Sequence, residues 1–174
     1  YVVFYGRIGE EKGIRLLMKI WDLIDDIPLV VMGSGPLEDE FRSWSAQKKN
    51  VYFLGYTKHD NCLAIVKNAE FVVFPSIWYE GCSMVEIEAE SLGKGLIATD
   101  LGFSSEAINE KINGYKIQLG DVTGFKDKIL SLWSDPFQCK ILGKNARIDY
   151  ENKYTPEDNY RQLETIYKTV MQVN

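Results

Sequence analysis

Short, wholly apolar runs alternate along this chain with longer segments in which apolar residues recur every three or four positions. Tyr1-Val2-Val3-Phe4-Tyr5, Leu29-Val30-Val31-Met32, Val51-Tyr52-Phe53-Leu54, Phe71-Val72-Val73-Phe74 and Gly95-Leu96-Ile97-Ala98 each read as a buried strand. Between the first two, Ile14, Leu17, Ile20, Trp21 and Ile24 keep helical spacing over Glu11–Ile24. Pro36 suits the first turn of a helix carrying Leu37, Phe41 and Trp44, and a short helix is expected over Asn61–Asn68. Another helix starts at about Ser83, and a short one runs from Ser104 to Asn109. Asn113-Gly114 marks a turn into Tyr115-Lys116-Ile117-Gln118, and beyond Asp121 the pattern is helical over 121–133, 136–149 and about 156–172. Apolar strands separated by amphipathic helices predict an α/β fold, a parallel sheet with helices on both faces, in a single domain over residues 1–174.

Sheets of this kind bind ligands at the carboxyl ends of their strands. Here those ends carry Gly6-Arg7, Gly33-Ser34-Gly35, Gly55, Pro75-Ser76 and Thr99, residues that give close backbone approach or polar contacts. Gly33-Ser34-Gly35 opens a helix and fits either a tight strand-to-helix turn or a phosphate contact. Arg7 and Lys12, beside Gly9 and Gly13, fit either a pair of solvated cations or a diphosphate clamp.

The stretch Trp78–Ala89 carries the sharpest signal. With Ser83 at zero on a helical wheel, Met84, Val85, Ala89 and Leu92 fall on one apolar side and Glu86 and Glu90 on the opposite, solvent side. Glu88 falls between Met84 and Leu92, where a carboxylate needs donors or a raised pKa. Glu80 lies three residues before the helix, as a capping acid or a ligand group, and Gly81 leaves room for close approach. The N–H groups of Ser83, Met84 and Val85 would point toward an anion. His59, the only histidine, has no serine or metal-ligand partner at a telling spacing and reads as a surface residue.

Composition narrows the picture. With 174 residues, 45% hydrophobic and 26% charged, the chain is a soluble globular domain. No apolar run reaches the roughly 18–20 residues of a membrane helix. Three scattered cysteines, without a CxxC, are expected as reduced thiols, which places the protein in the cytoplasm. No metal site is expected, and a net charge of −5 argues against a nucleic-acid partner. Starting inside a strand, without an initiator methionine, the chain is expected to be part of a longer protein.

These residues together resemble the donor-binding C-terminal domain of the family-4 retaining glycosyltransferases, whose GT-B fold pairs two Rossmann-like domains. The resemblance rests on Gly6-Arg7 with Glu11-Lys12-Gly13, Gly33-Ser34-Gly35-Pro36, Val51-Tyr52-Phe53-Leu54-Gly55 and Pro75-Ser76. It continues through Glu80-Gly81 and Glu88-Ala89 at an E-x7-E spacing, then Gly93, Thr99, Glu106, Asn113-Gly114 and Gly120-Asp121. The resemblance implies a UDP- or GDP-sugar donor, no cofactor and no metal, and transfer of a sugar to an acceptor hydroxyl in polysaccharide or glycolipid synthesis. It assigns Arg7 and Lys12 to the diphosphate, Glu88 to the ribose, and Glu80 to the donor sugar. Gly6, Gly33, Gly35 and Gly81 would line the site, Cys82, Ser83, Met84 and Val85 would offer backbone N–H, and Tyr56 would form the wall near the base. Arg7, Lys12 and Glu80 are the implied catalytic residues.

The last helix, Pro156 to Val173, with the stripe Tyr160, Leu163, Ile166, Tyr167 and Val170, resembles the segment that crosses back to an N-terminal acceptor-binding domain. Any peripheral membrane association would belong to that domain. Two departures stand out. Cys82 takes the place of a usual aromatic, and Gly102-Phe103-Ser104-Ser105-Glu106 that of a Gly-Gly-x-Pro-Glu run. A non-catalytic nucleotide-binding module, or a sugar-nucleotide epimerase or phosphorylase on the same fold, are the alternatives.

Overall fold

A computed structural model describes residues 1–172. Six strands form one parallel sheet: β1 (Val2–Tyr5), β2 (Leu29–Met32), β3 (Val51–Gly55), β4 (Val72–Phe74), β5 (Leu96–Thr99) and β6 (Gly114–Ile117). Their spatial order is β3-β2-β1-β4-β5-β6. The five expected strands are all present, and the stretch after Asn113-Gly114 adds a sixth by pairing in parallel with β5. β6 is an edge strand of mixed burial. The opposite edge, β3, is not the buried strand its apolar run predicted, because one side has no neighbouring strand and Tyr52 and Leu54 are about half exposed.

The helices are α1 (Ile14–Trp21), α2 (Glu38–Ser45), α3 (His59–Asn68), α4 (Met84–Ser91), α5 (Phe103–Ala107), α6 (Val122–Trp133), α7 (Pro136–Lys153) and α8 (Pro156–Gln172). The helix expected over Glu11–Ile24 divides at Gly13, whose left-handed φ of 72° ends a 3-10 turn over Glu10–Lys12 and starts α1. α7 runs one turn beyond the expected 149, and Val173 lies outside the described residues.

Alternation along the buried strands sends side chains to two cores. Val2, Phe4, Leu29, Val31 and Val73 meet α1, α2, α6 and α7 on one face. Val3, Tyr5, Met32, Val72 and Phe74 meet α3 and α4 on the other. The strand order reverses between β1 and β4, and there the loops diverge to opposite faces and leave a crevice over the carboxyl edge.

That edge is held by backbone-to-backbone contact. Gly6 N–H donates to Met32 O at 3.0 Å, Gly33 N–H to Gly55 O at 2.8 Å, and Ile8 N–H to Ser34 O at 2.9 Å. Gly33 has φ 142°, and a Cβ on it would overlap the Gly6 carbonyl oxygen. Gly81 differs: no protein atom lies within 4 Å of the Cβ it lacks. Gly33→Ala is therefore expected to cost about 3 kcal/mol or more, through strain and displaced backbone. Gly81→Ala should leave stability within about 1 kcal/mol of the parent. Urea unfolding of both variants checks the contrast.

Candidate functional site

The residues singled out in the sequence gather along the carboxyl edge, on either side of the β1–β4 crevice. Gly13 makes the closest approach: a Cβ there would overlap the Pro75 carbonyl oxygen. Glu11 O accepts from Ile77 N–H at 3.0 Å and from Ser76 Oγ at 3.0 Å, which stitches the loop after β1 to the loop after β4. Lys12 thereby faces Glu80, and its Nζ lies 2.5 Å from Glu80 Oε1. The same oxygen lies 3.1 Å from Ser76 Oγ, which shares its single proton between Glu11 O and Glu80 Oε1, and Phe74 presents its ring 5.5 Å below Nζ. Both side chains are mostly buried, at 22% and 14% exposure. Glu80 is not a capping acid: Ser83 is the N-cap of α4, its Oγ accepting from Glu86 N–H at 3.4 Å.

Arg7 is also paired, its Nε lying 3.4 Å from Glu11 Oε1, but it is well exposed. It opens onto a cavity of about 360 Å³ lined also by Tyr5, Gly6, Gly33, Ser34, Tyr56, Thr57 and His59. Gly35 lies just behind this wall, its Cα side packed on the Ile8 backbone. Val85, in the first turn of α4, lies 3.8 Å from the position a Gly6 Cβ would take. Its carbonyl accepts from Tyr5 O–H at 2.6 Å, so β1 and the start of α4 are joined beside the cavity.

Glu88 is half-buried between this cavity and a second one. Its Oε1 lies 3.8 Å from His59 Nε2, while Cys82, Met84 and Glu88 line the second cavity, of about 550 Å³, with Tyr150, Lys153, Tyr154 and the start of α8. Burial raises the Glu88 pKa, and His59 opposes that shift. In turn Glu88 adds to the burial that raises the Tyr5 phenol and pushes the Cys62 thiol to about 11. His59 is exposed, as expected, yet it stands at the cavity mouth beside Glu88, a role that its spacing in the sequence did not signal.

The wheel reading of α4 needs correction. Met84 is 60% exposed, whereas Glu86 and Glu90 are each 1% exposed. The side taken as solvated is covered by α5 and α7. Glu86 Oε1 accepts from Ser104 Oγ at 2.9 Å, and Glu90 Oε1 accepts from Asn113 Nδ2 at 3.3 Å. Each carboxyl keeps one buried oxygen without a partner. Met84, on the supposed core side, instead faces the open cavity, because α4 meets a crevice there and not a neighbouring element. No signal in α4 itself could show this, since it depends on where the distant Ser104 and Asn113 arrive.

The site thus offers two cations in acid pairs, a capped helix start with unbonded N–H groups, and a half-buried acid between two cavities. Together these define a parallel α/β domain with a crevice at its topological switch point, lined by paired cations and a helix N-terminus. The profile of glycosyl transferases group 1 matches residues 1–149, and the chain belongs to that family. It is similar to the uncharacterized glycosyltransferase MJ1607 of Methanocaldococcus jannaschii, at 29% identity over 99% of this chain and 45% of the relative. It is also similar to the capsular polysaccharide biosynthesis glycosyltransferase CapM of Staphylococcus aureus, at 27% identity over 98% of this chain and 47% of the relative. The solved structure of Anabaena HepE in complex with UDP superposes with a TM-score of 0.86, at 19% identity, over 97% of this chain and 49% of that one. The chain spans about half the length of the relatives it matches. The resemblance read from Gly6-Arg7, Lys12 and the spaced pair Glu80 and Glu88 is borne out at the level of family and fold.

The two inward acids give the fold a pH dependence. Burial pushes Glu86 to about 7 and Glu90 to about 8, Asp149 and Glu86 adding to the shift at Glu90. A carboxyl whose pKa is raised on folding stabilises the fold fully below its unfolded value, and that contribution is lost as pH rises through the folded value. The melting temperature should therefore fall between about pH 5 and 9, and Glu86→Gln with Glu90→Gln should flatten the slope. Thermal melts across that range test this; an unchanged slope in the double variant would refute it.

Proposed function

We propose that this chain is the donor-binding half of a retaining glycosyltransferase, which moves a sugar from a UDP- or GDP-sugar to an acceptor hydroxyl. The observation that carries the reading is the buried Lys12–Glu80 pair at 2.5 Å, set at the switch point beside the N-terminus of α4. HepE, which shares the fold, was crystallised with UDP. CapM, named for capsular polysaccharide biosynthesis, supports a polysaccharide or glycolipid acceptor.

The nucleobase would stand against Tyr56 and Thr57, and the ribose hydroxyls would donate to Glu88. Each such charge-assisted bond is worth about 1.5–3 kcal/mol and would supply the donors that Glu88 lacks. The diphosphate would lie between Arg7, Lys12 and the N–H groups of Ser83, Met84 and Val85. As the glycosidic C–O bond of the donor breaks, negative charge grows on the β-phosphate oxygen. Arg7, Lys12 and the helix start act on that charge in place of a metal or any cofactor. Glu80 would exchange part of its pairing with Lys12 for the donor sugar. Cys82, smaller than the usual aromatic and open to the larger cavity, would leave more room on the sugar side.

An acceptor-binding domain preceding this chain would complete the enzyme. Tyr160, Leu163, Ile166, Tyr167 and Val170 on α8 are all well exposed, and they fit a helix that docks on such a domain. Among the described residues, no helix is long and apolar enough to cross a membrane.

Calorimetry of this chain with UDP, GDP, ADP and TDP tests the reading. One nucleotide should bind, with Glu88→Ala weakening it by about 10- to 100-fold through the lost ribose bonds. Absence of binding at millimolar concentration by every nucleotide would overturn it. In the intact enzyme, Lys12→Ala or Arg7→Ala should lower turnover about 100- to 1,000-fold. Full turnover in the double alanine variant would remove both cations from the mechanism.

A further inference from the structure

Glu86 is a buried acid on the helix that borders the donor crevice, and neither family resemblance nor chemistry has given it a task. It sits at a position on α4 where an apolar side chain would pack at no polar cost. Instead a carboxyl is buried to 1% exposure, with Oε2 unpartnered. Such a group lowers stability unless something is gained from its strongest contact outside the first turn of α4, where Ser83 also lies close.

That contact is Ser104 Oγ, 2.9 Å from Glu86 Oε1. Ser104 is the second residue of α5, and the residue before it holds the donor loop: Phe103 N–H donates to Glu80 O at 2.9 Å. Gly102 packs on the backbone of Glu80. A Cβ on it would lie 2.7 Å from Glu80 O and 2.8 Å from Glu80 N, and its φ of 56° holds the turn there. The backbone of Glu80 therefore rests on the first turn of α5. α4, which supplies the anion-facing N–H groups, is fastened to that same turn by Glu86.

We propose that Glu86 is a positioning residue for the donor site: through Ser104 it fixes the Glu80 loop relative to the start of α4. This rests on the assignment of Glu80 to the donor sugar made above. The tie tolerates both protonation states. An ionised Glu86 accepts from the Ser104 hydroxyl, and a protonated one still does so through its carbonyl oxygen. Glu90 on the same helix, Glu80 and Lys12 at the crevice, and Tyr5 and Tyr154 on the flanking elements are the titratable groups that feel its charge.

The test compares UDP with UDP-glucose, and GDP with GDP-mannose in parallel, on this chain by calorimetry. Glu86→Leu should weaken the sugar nucleotide by about 10-fold, the worth of one positioned hydrogen bond, while the bare nucleotide changes by less than about 3-fold. Glu86→Gln, whose amide oxygen still accepts from Ser104, should restore the parent affinity. Ser104→Ala should reproduce the loss, and the pair Glu86→Leu with Ser104→Ala should lose no more than either alone. Should Glu86→Leu fail to fold, Ser104→Ala carries the comparison. An equal loss for nucleotide and sugar nucleotide, or no loss for either, overturns the positioning role. A parent chain that binds none of the four ligands overturns the functional reading instead.

Discussion

The contact of Gly13 with Pro75 is the constraint from which the rest of the site follows. Only a residue without a Cβ, in a left-handed conformation, brings the turn after β1 against the carbonyl at the end of β4. Once there, Glu11 O collects hydrogen bonds from Ile77 N–H and Ser76 Oγ, and Lys12 has Glu80 as its neighbour. The sheet order makes this possible, because β1 and β4 are adjacent while their loops leave in opposite directions. A local backbone property thus sets the separation of a cation and an acid 68 positions apart.

Much of this was legible in the chain. Wholly apolar strands declared a sheet covered on both faces, which holds for the four inner strands but not for the β3 edge, where Tyr52 and Leu54 are exposed. Glycine or a small polar residue stands at the end of each of these strands. Gly13 was visible beside Lys12, though nothing local showed that it would divide a predicted helix in two. β6 was the harder strand: Lys116 interrupts it, and only its place at the sheet edge, with mixed burial, makes that tolerable. His59 was readable as exposed, but its nearness to Glu88 depends on how α3 and α4 lie against each other.

The failure at α4 has a general cause. A helical wheel assumes one apolar side facing a core and one polar side facing water. α4 ends at a crevice, so part of its apolar side, Met84, has no protein to meet. Its acids are buried because Ser104 and Asn113 arrive from elsewhere with hydrogen bonds to give. Glu88 was picked out as misplaced, and it is half-buried as that argument required, but Glu86 and Glu90 lie deeper. The wheel recognised the acid that borders the cavities and missed the two that tie the helix down.

The paired state of the cations is itself part of the design of such a crevice. A lone Lys12 as little exposed as this one, above the Phe74 ring, would have to be desolvated without compensation. Glu80 and Ser76 offset that cost while the crevice is empty. A doubly charged diphosphate entering beside Lys12 would offer it a stronger partner, and Glu80 would then regain a free lone pair while still held by Ser76 and by its own backbone. Under the proposed assignment, the donor-sugar and phosphate contacts would meet at this one 2.5 Å pair.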